Sequence, residues 1–398
     1  MSLLRRISNG RLTVLLALLV LVGAALGTGI AVAARSGSAP PPPASLADAV
    51  HGALTAPTPD GVSGRLKFTN RLIGAGLPSD AVGASPLLTG ASGRFWITGD
   101  GKARLELQGA EGSPDVQILV DGDTVQVYDV SSNTLYKAQL PQQSAPTPST
   151  SANDTPPSVA QIQSAIDKLA GVASVAGPTP TTIAGEGAYS VRLEPKANGG
   201  LLAGAELAWD ATHGVPLRAA IYAKGDSTPV LELKATEISF GPVASSDVQI
   251  APAAGVHVVD LGPLGHDTGS AQKPAPVTGL AAVQAQVPFT LVAPDRLAGR
   301  QRSDVRLVHA GADPAALVTY GSGLDGIAVL ESKPQPTQQG EGALGLLPTA
   351  DLGGGVQAQE LPTALGTIVR FEHGGVSFVV AASQPPATVV DAAKTLAQ

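Results

Sequence analysis

The chain has 398 residues, a formal net charge of −7, 43% hydrophobic and 3% aromatic residues, and no cysteine. Without cysteine there is no disulfide, no thiolate nucleophile, no Cys-type zinc site and no lipid-modified N-terminal cysteine. The slightly acidic balance lacks the basic footprint of a nucleic-acid binder, and so few aromatic residues leave little for stacking bases or sugars.

The first feature in chain order is an uncharged apolar run from Leu12 to Ala34, with Arg5, Arg6 and Arg11 ahead of it. A run of this length crosses roughly 30 Å of hydrocarbon as a helix. The basic residues before it put 1–11 in the cytoplasm and everything beyond about residue 35 outside. Residues 12–34 therefore read as a transmembrane signal anchor, with the protein at the cell membrane as a single-pass chain and its domains extracytoplasmic. Ala31-Val32-Ala33 is also an acceptable small-residue cleavage site, so a removed signal peptide stays open. Residues 35–45 carry Pro40 to Pro43 and read as a stiff spacer.

A short helix is expected from Leu46 to Thr55, after which the apolar period changes to two. Arg65 to Thr69, Arg94 to Thr98, Arg104 to Gln108, Val116 to Val120, Thr124 to Tyr128 and Asn133 to Leu140 alternate as strands. Gly99-Asp100-Gly101 and Asp121-Gly122-Asp123 punctuate them as tight turns. The stretch 141–157 is rich in Pro, Ser, Thr and Gln and reads as a loop. Val159, Ile162, Ala165, Ile166 and Leu169 then share a helical face over 159–173, with Ser158 as N-cap. Strands resume at 189–193, 205–209, 217–223 and 230–240. The Pro/Gly/Ala-rich stretch 251–284 is expected to be a linker. Beyond it, 285–398 reads as a smaller α+β domain, with a hairpin turned at His373-Gly374-Gly375 and a last helix from Ala387 to Leu396. The expected fold is α+β and mainly antiparallel β. It has a curved half-barrel sheet with covering helices over 46–250, the small C-terminal domain and the N-terminal transmembrane helix.

Catalytic chemistry finds no foothold. His51, His213, His257, His266, His309 and His373 show no compact ligand spacing. Asp121-Gly122-Asp123 is too short for a calcium loop and lacks its bidentate Glu. No G-x-S-x-G elbow occurs, and Gly353-Gly354-Gly355 is not followed by Lys-Ser/Thr. No catalytic residue, cofactor or metal is assigned, and the reading is a non-enzyme. The positive signal is aliphatic alternation: Leu66, Phe68, Leu105, Leu107, Ile118, Val127, Leu193, Leu207 and Leu233. These residues fill an ordinary core or line a lipid-binding cavity, where each buried CH₂ is worth about 0.8 kcal/mol. On the cavity reading, Asp at Leu107 or Ile118 abolishes lipid binding.

Several segments carry a resemblance. They are Gly61-Val62-Ser63-Gly64 with Phe68-Thr69-Asn70, Ser92-Gly93-Arg94-Phe95-Trp96, and Val120 to Thr124 running on to Tyr128-Asp129. Asn133-Thr134 to Leu140-Pro141 follows, then Trp209-Asp210 with Gly214-Val215-Pro216-Leu217-Arg218. In order and spacing, residues 46–250 resemble the LolA-like superfamily. It takes in the LolA and LolB lipoprotein carriers, mycobacterial lipoprotein relatives and the RseB/MucB sigma-factor regulators. Residues 285–398 look like a small C-terminal domain of unestablished function. The resemblance implies a half-barrel closed by helices around a hydrophobic cavity for acyl chains or a peptide, and no catalysis. Soluble carriers shed their signal and diffuse, and LolB-type proteins are anchored through a cysteine that this chain lacks. A tethered acceptor, sensor or lipid chaperone is therefore expected. Its partner would be a lipid or acylated protein. The alternative is an envelope-stress sensor that binds a membrane regulatory protein of the anti-sigma type.

Overall fold

The structure is a computed structural model that describes residues 38–73, 86–109, 114–140, 156–196, 199–263, 277–310, 313–334 and 347–398. Residues 1–11, the apolar run 12–34 and most of the stretch 141–157 lie outside them. Among the described residues no helix is long and apolar enough to cross a membrane.

The first half forms a curled, mainly antiparallel sheet of twelve strands. In chain order these are β1 (Gly61–Asn70), β2 (Ala91–Thr98), β3 (Ala103–Gln108), β4 (Pro114–Asp121), β5 (Thr124–Asp129) and β6 (Thr134–Gln139). Then come β7 (Ala173–Ile183), β8 (Glu186–Pro195), β9 (Leu202–Asp210), β10 (Pro216–Ala223), β11 (Leu231–Phe240) and β12 (His257–Pro263). They lie side by side as β12-β6-β5-β4-β3-β2-β1-β11-β10-β9-β8-β7. Two meanders thus meet where β1 pairs with β11, with Leu66 opposite Ala235 and Phe68 opposite Leu233. Strict alternation explains why the strands form: in β3, Ala103, Leu105 and Leu107 are buried on one face.

Among the described residues three helices accompany this sheet: α1 (Leu46–Thr55), α2 (Pro86–Thr89) and α3 (Val159–Ala170). Ser45 caps α1 through the Asp48 amide. Ser158 and Gln161 close a capping box on α3, each side chain accepting the other's backbone N–H. The expected helix over 159–173 stops at Ala170, because from Ala173 the chain enters edge strand β7. Pro178 and Pro180 conceal that strand in the sequence, and an edge position tolerates them because the missing N–H groups face no partner.

Another difference lies in the expected linker 251–284. After β11 the chain crosses the sheet, burying Val248 to 1% exposure. The Asp247 carbonyl accepts from Arg104 at 3.1 Å, and the Ala253 amide donates to Tyr128 Oη at 3.1 Å. β12 then adds in parallel to β6, with Val258 opposite Leu135. A strand with two consecutive valines in Pro/Gly/Ala-rich surroundings carries almost no periodic signal.

The second half is an eight-stranded sheet in the order β13-β14-β15-β16-β20-β19-β18-β17. Its strands are β13 (Arg296–Leu297), β14 (Arg300–Ala310), β15 (Asp313–Tyr320), β16 (Ile327–Ser332), β17 (Thr349–Gly353), β18 (Val356–Thr363), β19 (Gly366–His373) and β20 (Val376–Ala382). Helices α4 (Leu280–Gln284) and α5 (Pro386–Leu396) belong to it. Val389, Ala392, Ala393 and Leu396 of α5 pack on Val318, Val329, Phe378 and Val380 in one core. The two halves touch at one end of the first sheet. The Leu201 amide donates to Ser383 Oγ at 2.9 Å, and the Ala364 amide donates to the Leu72 carbonyl at 2.8 Å.

Candidate functional site

All nine apolar residues singled out from the sequence share one face of the first sheet, but they divide into two groups. Leu66, Leu105, Leu107, Ile118 and Val127 are 1–9% exposed. They pack against one another and against Leu87 of α2, with Phe68 and Leu233 at the margin. This end is filled by its own side chains. Leu193 and Leu207 lie outside that cluster.

The register shows where they go. Phe68 sits opposite Leu233, Leu233 opposite Ala219, Ala219 opposite Leu207, and Leu207 opposite Val191. The result is one cross-strand row over β1, β11, β10, β9 and β8. Four strand spacings give it a length of roughly 19 Å. Beside it runs a second row: Leu231, Ile221, Ala205, Leu193 and Val175. Both rows are hydrocarbon throughout. Leu207 is 43% exposed in the middle of the first, and Phe68, Leu233, Ala219, Ile221, Ala205 and Leu193 are half-buried.

Helix α1 covers the far end of this face. Leu46, Ala49, Val50 and Ala53 pack on Tyr189, Val191 and Trp209. The Tyr189 hydroxyl donates to the Pro42 carbonyl at 2.6 Å, which ties the proline-rich segment down. The Trp209 indole N–H is buried without a hydrogen-bond partner. Helix α3 packs on α1 and β7, so it stands beside the rows and does not cross the aliphatic cluster. Its Leu169 is 39% exposed, which leaves the predicted apolar stripe partly uncovered.

The motif Trp209 to Arg218 has a physical explanation here. Asp210 is 1% exposed and accepts from the amides of Thr212 and His213 and from the His213 ring at 2.7 Å. Gly214 takes φ +69°, and a Cβ there would stand 2.3 Å from the Ala53 carbonyl. The hairpin is thus shaped to receive the end of α1.

Behind the rows, the opposite face is braced by charge. Arg218 reaches Glu206 at 2.5 Å, Glu232 at 2.6 Å and the Tyr222 hydroxyl at 2.8 Å. Glu206 also accepts from Ser190 at 2.7 Å and from Tyr222 at 2.9 Å. Burial pushes the Glu206 carboxyl up. The hydrogen bonds from Ser190, Arg218 and Tyr222 outweigh it and hold the carboxyl below its ordinary value. The brace spans β8 to β11, the strands that carry the uncovered rows. Alternation singled out Phe68, Leu193, Leu207 and Leu233 of those rows but not the brace, whose members come from four separate strands.

Among the described residues no group of three His, Asp or Glu is placed to hold a metal ion. His51 contacts the Pro157 carbonyl at 3.0 Å and His213 stacks on Phe240 at 3.9 Å, so both serve the fold. His266 lies outside the described residues.

No protein-family model matches the chain, and no curated protein matches it. Solved structures do. MucB in complex with MucA(peri) is similar at 15% identity and a TM-score of 0.40, over 87% of this chain and 94% of that one. The MucA/MucB complex structure from Pseudomonas aeruginosa gives 14% and 0.39, over 87% and 94%. A LolA superfamily protein from Nitrosomonas europaea gives 12% and 0.21, over 52% of this chain and 99% of that one.

Proposed function

We propose that this chain is an extracytoplasmic, non-catalytic binding protein that seats the acyl chain of a lipid or lipoprotein on the two uncovered rows. One observation carries the reading. Leu207 is 43% exposed on an apolar row whose other members are half-buried or buried. An apolar row of that length matches a long hydrocarbon chain, and covering it is worth about 25 cal/mol per Å² of surface removed from water. The polar brace ties β8 to β11 together on the opposite face. The apolar run 12–34 would tether the protein at the membrane, so ligand would be held or handed on locally and not carried across a compartment.

The test is native mass spectrometry of residues 38–398, purified without detergent. Starting at 38 keeps the contact between Pro42 and Tyr189. Co-purified lipid, lost in Leu207→Asp, is the expected result. A clean apo mass after incubation with phospholipid and with an acylated peptide would overturn it. The alternative, a sensor that contacts a membrane regulatory protein, would then stand. MucB has been solved in complex with MucA(peri).

A further inference from the structure

The C-terminal core contains a carboxylic acid that neither reading uses. Glu331 sits on β16 at 0% exposure, opposite Ala316 of β15 and Phe378 of β20. Its Oε2 accepts one hydrogen bond, from the Val292 amide at 2.9 Å, and its Oε1 has no partner. Val292 belongs to the segment 288–295, which runs without regular structure between α4 and β13. Phe289, Leu291, Val292 and Ala293 of this segment cover the core.

We propose that Glu331 is a proton-operated clasp. With its proton on, the acid holds the segment 288–295 against the C-terminal core; with the proton released to solvent, the segment lets go.

The other attachments of the segment do not change with pH near neutrality. Gln284 Nε2 donates to the Phe289 carbonyl at 2.8 Å, and the Leu291 amide donates to Gln284 Oε1 at 2.9 Å. Arg302 holds the Ala293 carbonyl and pairs with Asp295 at 2.8 Å. The Glu331 contact is different. A neutral carboxyl accepts the Val292 amide at little cost, whereas a buried carboxylate with one donor and one bare oxygen is costly to keep dry. Movement of the covering segment brings water to it.

The groups around the acid do not compensate a charge. β15 presents Tyr320, itself 0% exposed with an unpartnered hydroxyl; burial first, and then a charge on Glu331, make that phenol harder to ionise. β14 contributes Arg302 and the segment contributes Asp295, already paired with each other. β20 offers Phe378 and α4 offers neutral Gln284. α5 turns Val389, Ala392, Ala393 and Leu396 inward, while its Asp391 and Lys394 pair at 3.7 Å on the outside. Burial accordingly pushes the Glu331 carboxyl up to about 7.

Hydrogen exchange on the full-length chain in detergent tests this, following amides 289–293 with intrinsic rates divided out. In the native protein, opening of the segment should rise roughly tenfold per pH unit from about pH 5 and level off above 7. Amides 316–318 of β15 should stay protected throughout. In Glu331→Gln the opening should be flat with pH. Opening that is flat in the native protein, or that rises equally in Glu331→Gln, overturns the proposal. Infrared difference spectra of the native protein add a readout that needs no variant. A protonated-carboxyl band should be present at pH 6 and gone at pH 8.5, and its absence at pH 6 also overturns the clasp.

Discussion

Single side chains separate the residues that hold this fold from those open to a ligand. Leu107 and Ile118 are 2% and 1% exposed, so an Asp at either position buries an unpaired carboxylate and unfolds the sheet instead of reporting on ligand. Leu107→Ala should cost about 3 kcal/mol, read as a lower urea midpoint at unchanged slope. Leu207 gives the clean experiment: Leu207→Asp should shift stability by no more than about 0.5 kcal/mol. It should also remove co-purified lipid. Arg218 lies at the other extreme. Its loss leaves Glu206 and Glu232 facing one another behind the rows, and Arg218→Ala should destabilise the first half by about 2 kcal/mol. Alternation exposed the leucines because each needs only its own strand to be recognised. The partners of Arg218 are fixed by strand pairing, which no local pattern encodes.

Among the elements, those with a clean period were readable and those without one were not. The meander β1 to β6, the strands β8 to β11, the hairpin β19–β20 and the last helix follow from alternation, turn residues and helical spacing. β7 is hidden by its two prolines, β12 by its linker-like neighbours, and β17 and β18 by the glycines and glutamines around them. The apolar stretch 289–292 forms no strand but the irregular segment over the C-terminal core, where apolar content came without pairing. Helix α3 offers a local test. Ser158→Ala removes one half of the capping box and should cost about 1 kcal/mol. That loss should appear as faster amide exchange confined to the first turn of 159–170. The nine candidate residues share one face of the sheet, yet which of them are covered depends on where α1 and α2 land, and neither helix announces its landing site.

For the whole molecule, the two halves answer pH with opposite sign. Glu206 binds its proton less tightly folded than unfolded, so its contribution is present above about pH 4.5 and lost as pH falls through its folded value. Glu331 binds its proton more tightly when folded. Its contribution is complete below about pH 4.5 and is lost as pH rises toward 7. Calorimetry should therefore show the first half weakening on the acid side and the C-terminal half weakening toward neutral pH. The contact between them is slight. Gly200 takes φ +73°, and a Cβ there would lie 2.8 Å from the Leu324 carbonyl and 2.7 Å from Ser383 Oγ. Gly200→Val should part the halves, raising the radius of gyration in small-angle scattering while both cores stay folded. The order of strands has a last consequence, for the newborn chain. A ribosome delivers β1 through β6 as a hairpin ladder with two raw margins. Arg65 waits for Glu237 on one side, and Leu135 waits for Val258 on the other. Until roughly 120 further residues emerge, the half-built ladder offers those margins to any passing strand. The protein thus depends on a chaperone, or on speed, at that stage of its synthesis more than at any other.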